Sequence, residues 1–359
     1  MQEFSQFVRN AALAAGFDLA GIAAVEDSNF PELARFPEWI ASGHAAEMEY
    51  LKSRDEHGRL RRAALRNAVP WARSVIVCAR SYDTAHPLST ECNHPGRGWI
   101  SRYAWSSDDY HDSMLARLRQ VEARIREAHA AQQPQPNAPL QTRCYVDTGP
   151  LVERVYARHA GIGWIGKNTC VINQRQGSFI FLGVILTSLD LEPSLPAADR
   201  CGTCTRCIDA CPTQAIVAPG ELDSRLCIAY LTIEKRGPIP EELRPGIGRH
   251  VVGCDICQDV CPWNVKARRD NRAGLPAAAR PELVNPALEW LAALDDEGLQ
   301  RLLRRSPLAR AKRKGIRRNL AVAMGNSRDR RFAPALEKLA EDGDPVVAEH
   351  ARWALARLG

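Results

Sequence analysis

Cys201-Gly-Thr-Cys204-Thr-Arg-Cys207-Ile-Asp-Ala-Cys211-Pro212 is the stretch on which the reading of this chain turns. A second run, Cys254-Asp-Ile-Cys257-Gln-Asp-Val-Cys261-Pro262, follows an isolated Cys227 after a gap of 26 residues. Together these segments hold eight of the twelve cysteines. A cubane needs a thiolate on each of four irons. A tight turn supplies three of them when its cysteines are separated by two residues, and the fourth comes from elsewhere in the chain. That geometry assigns Cys201, Cys204, Cys207 and Cys261 to one [4Fe–4S] cluster, and Cys211, Cys227, Cys254 and Cys257 to a second.

The spacing is that of a two-cluster bacterial ferredoxin, which makes the chain a carrier of low-potential electrons. Zinc is the rival, since paired CxxC units also build four-cysteine zinc sites, but CxxCxxC runs with a trailing Cys-Pro are unusual for zinc. A disulfide framework belongs to small secreted domains. This chain has 359 residues, and Met1-Gln2-Glu3-Phe4 does not begin a charged and then apolar secretory leader. Such a length suggests two or three domains. With 45% hydrophobic and 25% charged residues, the composition is that of an ordinary globular protein with a sizeable core. Nothing approaches the roughly 18 uninterrupted apolar residues of a membrane span. The expected location is the cytoplasm, where oxidation-sensitive clusters survive.

Working outward, residues 1–190 read as an α+β unit. Helical periodicity appears at 3–15 and 109–130, where Tyr110, Met114, Leu118, Val121 and Ile125 share one face. Strands are expected at 74–78, 143–146, 169–173 and 178–186, the last two joined by a Gly-ended hairpin turn at 174–177. The polar, Pro-rich stretch 132–139 reads as a loop. Strands not regularly interleaved with helices argue for a mainly antiparallel sheet. Residues 191–265 form the cluster domain, and 281–359 a helical domain. In the latter, helices over 317–324, 332–340 and 345–358 resemble a HEAT-type repeat that must pack against the helices before it.

The net charge of +6 is unevenly placed: nine Lys/Arg and no acid lie between Arg301 and Arg318. The tract is either a solvated helix face or a phosphate-binding surface for nucleic acid. In the second case Arg301, Arg304 and Arg305 share one helical face, followed by Lys312, Arg313, Lys314, Arg317 and Arg318.

The remaining chemistry concentrates in Val146-Asp147-Thr-Gly-Pro-Leu-Val-Glu153-Arg154 and Gly161-Ile-Gly-Trp-Ile-Gly-Lys167-Asn168. Asp147 ends a strand before a helix. It is either that helix's cap or a partly buried general acid with a raised pKa. Gly161, Gly163 and Gly166 superficially match a dinucleotide fingerprint, but they follow a helix and precede a strand, the reverse of the required order. Their expected use is close approach of the backbone to a large planar ligand. Asp109-x-His111 begins like a cobalt-ligating motif, yet Met114 stands where that motif needs Gly, so His111 is not read as a cobalt ligand. Of the scattered Cys78, Cys92, Cys144 and Cys170, three lie in or beside apolar strands and read as inert buried thiols.

With these blocks in this order, the chain resembles the epoxyqueuosine reductases over nearly its whole length. The resemblance implies a cobalamin- and iron–sulfur-dependent enzyme of tRNA queuosine synthesis, built on a nitroreductase-like α/β sandwich that binds cobalamin. It implies that Asp147 is the proton donor and that Arg62, Asp147, Asn168, Val171, Leu182, Ala229, Cys254 and Asp255 contact cobalamin. Arg236 stands where the family contacts tRNA. Ala229 occupies a site where the family also uses a hydroxyl residue, and its methyl group supplies no hydrogen bond. The implied partners are tRNA carrying epoxyqueuosine and an external low-potential electron donor, with the protein acting as a monomer. Removing an epoxide oxygen as water takes two electrons and two protons, so single-electron clusters need a partner that accumulates charge. A related cobalamin and iron–sulfur reductase of a small molecule, of the reductive dehalogenase kind, is the competing reading. Those enzymes are commonly exported with a twin-arginine signal, which is not seen here, and a small substrate has no need of a basic helical tail.

Overall fold

The structure, a computed structural model, describes residues 2–26, 29–132, 139–270 and 279–358. Most of the loop expected at 132–139 lies outside them; Gln132 itself closes the helix Tyr110–Gln132. The described strands, in chain order, are β1 Leu19–Ala24, β2 Ser74–Ser81, β3 Trp99–Ile100, β4 Thr142–Tyr145, β5 Trp164–Ile165, β6 Val171–Ile172, β7 Ile180–Thr187, β8 Ile216–Ala218, β9 Glu221–Leu222 and β10 His250–Val252. The chain divides into two compact units, 1–82 with 110–204 and 83–109 with 205–359. This differs from three consecutive domains at 1–190, 191–265 and 281–359. Residues 83–109 leave the first unit, and the boundary at 204/205 cuts through the first cysteine run.

The first unit is built on an antiparallel sheet of order β1-β2-β7-β4. Because side chains alternate across a strand, β2 feeds two cores. Ile76 and Cys78, with Ile22 and Ile185, pack against Val8, Ala11 and Ala12 of helix Gln2–Ala14 and against Met114, Leu118, Val121 and Ile125 of helix Tyr110–Gln132. Val75, Val77 and Ala79, with Val184 and Leu186, pack against Val155, Tyr156 and Ala157 of helix Glu153–His159. Burial on both faces is why β2 reads as an unbroken apolar run rather than an alternating one. Burial holds the Cys78 thiol far above its ordinary range and pushes Cys144 up to about 12, so both are inert.

Two features of this unit were not read from sequence. β1, Leu-Ala-Gly-Ile-Ala-Ala, was not expected as a strand, since Ala and Gly are poor strand formers. It exists because it pairs with β2 along its whole length, and because Gly21 packs so closely on the Ala160 carbonyl that no side chain would fit there. The turn at 174–177 is present, with Asn173 and Gly177 exchanging backbone hydrogen bonds. However, β6 pairs with β5, not with β7.

In the second unit, residues 83–109 supply Trp99, Ile100, Ala104 and Trp105 to a core shared with Val251, Leu288, Leu299, Leu320, Met324 and Phe332. β3 pairs in parallel with β10. The helices Lys312–Ser327, Ala333–Ala340 and Pro345–Leu358 share this core with the amphipathic helix Asp296–Leu303 that precedes them. Among the described residues no helix is long and apolar enough to cross a membrane.

Candidate functional site

Asp147 sits on the loop between β4 and the helix Glu153–His159 with φ +58°, a left-handed conformation that Asp tolerates better than most residues. It does not cap that helix. The N-cap is Val152, without a side-chain cap, and it is Glu153 that reaches back to accept the Asp147 backbone N–H at 2.9 Å. Nor is Asp147 partly buried, since its side chain is 74% exposed. Its Oδ2 faces His111 Nε2 at 3.8 Å. Arg62 donates to the Gly149 carbonyl at 2.7 Å and to the Tyr50 carbonyl at 3.0 Å, clamping the same loop from another segment.

The pKa of Glu153, beside Asp147, is raised. Burial, and then the charge of Asp147, push its pKa up to about 8, against the opposing effects of the Asp147 N–H, Arg62 and Arg154. A carboxyl raised from an ordinary 4.5 favours folding most below that value, and the contribution is lost as pH rises towards about 8. The melting temperature is therefore expected to fall between about pH 5 and about pH 8, and Glu153→Gln to flatten that slope. Thermal melts of the two proteins across this range check it, and an unchanged slope in the variant would reject the assignment. Neither Glu153 nor the placement of His111 was read as functional from sequence. The Glu lies six residues from Asp147, and only the turn at Gly149-Pro150 brings it back.

Asn168 is 4% exposed, and its Oδ1 accepts the Cys170 N–H. The next residue, Thr169, has φ +64°, a strained conformation for a β-branched side chain. Val171 is buried in the core and Leu182 is half-buried against it. The expectation that Gly161, Gly163 and Gly166 admit a planar ligand is not met. Added side chains would strike the Leu195 carbonyl oxygen at 2.7 Å, the Ile172 carbonyl, and Ile172 Cδ1 at 2.5 Å. The glycines let the chain pack on itself.

The cysteines fall on both units: Cys201 and Cys204 on the first, Cys207, Cys211, Cys227, Cys254, Cys257 and Cys261 on the second. None forms a disulfide. Within the second unit Cys254 is close enough to Cys227 and Cys211 that both add to the larger effect of burial in raising its thiol. This convergence of three sulfurs from three chain segments fits the second four-cysteine set. Among the described residues no three His, Cys, Asp or Glu close around a point that one metal ion would fill; a cubane holds its thiolates farther apart than one ion does. Cys211 Sγ accepts the Ala215 N–H at 3.2 Å. Asp255 is wholly buried, and its carboxylate accepts from Trp99 Nε1 at 3.0 Å, from the Arg102 N–H at 2.8 Å and from the Ser101 hydroxyl. Those bonds tie the cluster loop to β3. Ala229 lies half-buried on helix Ile228–Ile233.

The basic tract is not a bare field of charge. Arg318 is 1% exposed and donates to the carbonyls of Leu231, Lys235 and Gly237 and to Asn319 Oδ1. Contrary to the sequence expectation it is no RNA-binding residue, because a guanidinium sealed among carbonyls reaches no phosphate. Arg304 and Arg305 fall beyond helix Asp296–Leu303, so they do not continue the face of Arg301. Arg313 pairs with Asp296, Lys314 with Asp344, and Arg317 with Asp296 and Asp342. Arg310 and Arg236 share Glu234, and Arg236 donates to the Arg310 carbonyl. This brings Arg236 to the tract, as no spacing in the sequence did.

Known proteins resemble this chain. Residues 62–148 match the family model "Epoxyqueuosine reductase QueG, DUF1730", and residues 200–264 match "4Fe-4S double cluster binding domain". An epoxyqueuosine reductase of Xanthomonas campestris pv. campestris is 40% identical over 98% of this chain and 95% of its own length. The chain belongs to the epoxyqueuosine reductase family. The Escherichia coli K12 enzyme is 34% identical over 99% of this chain and 90% of its own. A crystal structure of epoxyqueuosine reductase with a tRNA-Tyr epoxyqueuosine-modified stem loop superposes with a TM-score of 0.84 at 29% identity, covering 99% of this chain and 90% of that one. A Bacillus subtilis epoxyqueuosine reductase, described with its catalytic aspartate loop swung out of the active site, gives 0.82 at 27%, over 99% and 91%. The protein is thus an oxidoreductase whose double-cluster module carries two [4Fe–4S] clusters, and its family is cobalamin-dependent.

Proposed function

We propose that the protein reduces epoxyqueuosine at the wobble position of tRNA anticodons to queuosine, the last step of queuosine synthesis. The observation that carries this reading is the likeness, over 99% of the chain, to a reductase crystallised with an epoxyqueuosine-modified tRNA stem loop. The same likeness favours it over reduction of a small molecule. The reaction takes two electrons and two protons, breaks the epoxide C–O bonds, and releases water and an alkene. Asp147 protonates the departing oxygen. Arg62 and Glu153 hold its loop through Gly149 and the Asp147 N–H, and His111 lies beside its carboxylate.

Arg62, Asn168, Val171, Leu182 and Ala229 would hold cobalamin in a nitroreductase-like domain. Cys254 and Asp255 would contribute backbone only, since the thiolate is a cluster ligand and the carboxylate is engaged by Trp99, Ser101 and Arg102. When bound, that group supplies the two-electron capacity that single-electron clusters lack. The first cluster takes Cys201, Cys204, Cys207 and Cys261, and the second takes Cys211, Cys227, Cys254 and Cys257. An external low-potential donor feeds them, and the enzyme acts as a cytoplasmic monomer. Anaerobic incubation with reductant and epoxyqueuosine-containing tRNA, followed by nucleoside mass spectrometry, tests the activity. Full conversion to queuosine is expected, and unaltered epoxyqueuosine would refute the reading.

Lys312, Arg313, Lys314 and Arg317 of the HEAT-like domain bind tRNA phosphates together with Arg236, which precedes that domain. Among the acidic partners only Asp296 is exposed, and Glu234, Asp342 and Asp344 are half-buried, so phosphate competes with these carboxylates for the same cations. Charge reversal at Lys312 and Lys314 is expected to weaken tRNA binding at low salt and to reduce its salt dependence. Filter binding across a salt series reads this, and unchanged affinity would return the tract to an ordinary solvated face.

A further inference from the structure

The run Gly161-Ile-Gly-Trp-Ile-Gly-Lys167 has a use that neither dinucleotide nor ligand binding explains. It forms β5 and the turn into β6, with Trp164 opposite Ile172 and Ile165 opposite Val171. Gly163 and Gly166 lie so close to Ile172 that neither has room for a side chain. The hairpin is therefore a stiff mount for the two long side chains it carries. Both point at the first cysteine run. Trp164, 2% exposed, donates its indole N–H to Cys201 Sγ at 3.4 Å. Lys167 donates to the carbonyls of Gly202 at 2.8 Å and Cys204 at 2.9 Å, which fixes its ammonium beside the ligand loop.

A [4Fe–4S] cluster takes up one electron on reduction, with no bond made or broken, and its thiolates then carry more negative charge. A hydrogen bond to a ligand sulfur and a fixed cation nearby both stabilise that charge more in the reduced state. Each therefore raises the reduction potential. Burial of the indole strengthens the effect, because water does not screen it.

We propose that Trp164 and Lys167 set the reduction potential of the cluster held by Cys201 and Cys204, making it easier to reduce than its cysteines alone would. The inference rests on the double-cluster module and not on the substrate, so it stands or falls independently of tRNA turnover. The Gly-rich hairpin is thus a positioning device for electron delivery.

The test is a potentiometric titration of the anaerobic holoenzyme followed by electron paramagnetic resonance, with iron content measured on the same samples. Trp164→Phe removes the N–H and keeps the ring, Lys167→Met removes the charge and keeps the length, and Lys167→Arg restores the charge. The expected result is that the first two variants retain about eight irons, the number two cubanes contain. In each, one cluster's midpoint shifts to lower potential while the other's stays in place, and Lys167→Arg lies near wild type. Midpoints that do not move, or two that move together, would overturn the proposal. Loss of iron from both Trp164→Phe and Lys167→Met would overturn it too, by making the hairpin a clamp for cluster retention. If only Trp164→Phe loses iron, the Lys167→Met midpoints decide.

Discussion

Asp147→Asn is expected to lose about 10²–10⁴-fold in turnover, the usual worth of a positioned general acid, while still binding tRNA and retaining its clusters. The substitution is a clean one. Asp147 lies at φ +58°, and Asn enters the left-handed region at least as readily as Asp, so the loop keeps its shape. The backbone N–H that Glu153 accepts is also kept. What is removed is the ionisable acid group. Single-turnover conversion of epoxyqueuosine-containing tRNA, read by nucleoside mass spectrometry beside a binding measurement, separates chemistry from affinity. Normal turnover in the variant would leave Asp147 as a loop residue and move the search for the acid to its neighbours.

Arg318→Ala is expected to destabilise the second unit by more than about 3 kcal/mol. Hydrogen bonds to a charged group contribute roughly 1.5–3 kcal/mol each, and Arg318 makes them to three backbone carbonyls in a site only 1% exposed. Those carbonyls belong to Leu231, Lys235 and Gly237, the segment that follows Cys227. Loss of the guanidinium leaves them unsatisfied and loosens the chain that leads to Arg236. The expected readout is a large drop in the chemical denaturation midpoint, with iron lost early in the transition. Arg317→Ala, one residue away, is expected to cost markedly less than Arg318→Ala, since Arg317 is more exposed and pairs with two carboxylates, one of them the exposed Asp296, rather than with buried carbonyls. Equal effects for the two substitutions would contradict this division of roles.

Some of this was legible before any coordinates. Cysteine spacing is a local geometric constraint, so the double-cluster module matched at 200–264 could be read directly. Periodicity pointed to helices within a residue or two of those observed at 2–14 and 110–132. Four strands were also readable from their β-branched runs. β1 was not, because its six residues carry little propensity and it exists by pairing and by the close approach of Ala160. Segment 83–109 gave no sign of joining the second unit, because Trp99 and Trp105 look like any buried aromatics until Leu288 and Phe332 surround them.

The candidate site divides in the same way. Asp147 was marked by its place between a strand and a helix, but its neighbour Glu153 was not, since the raised pKa of Glu153 follows from burial and from charges brought near by folding. The glycines were noticed for their pattern and assigned the wrong neighbour, because a missing side chain does not say what occupies its space. The two cysteine runs and the order of the motifs are properties of residues close along the chain, so the chain alone carries them. Folding was needed to show which carboxyl has a raised pKa, which tryptophan meets a cysteine sulfur and which of two adjacent arginines is buried. Successive helix positions point about 100° apart, so Arg317 meets carboxylates and Arg318 meets buried carbonyls, and nothing within the pair distinguishes them.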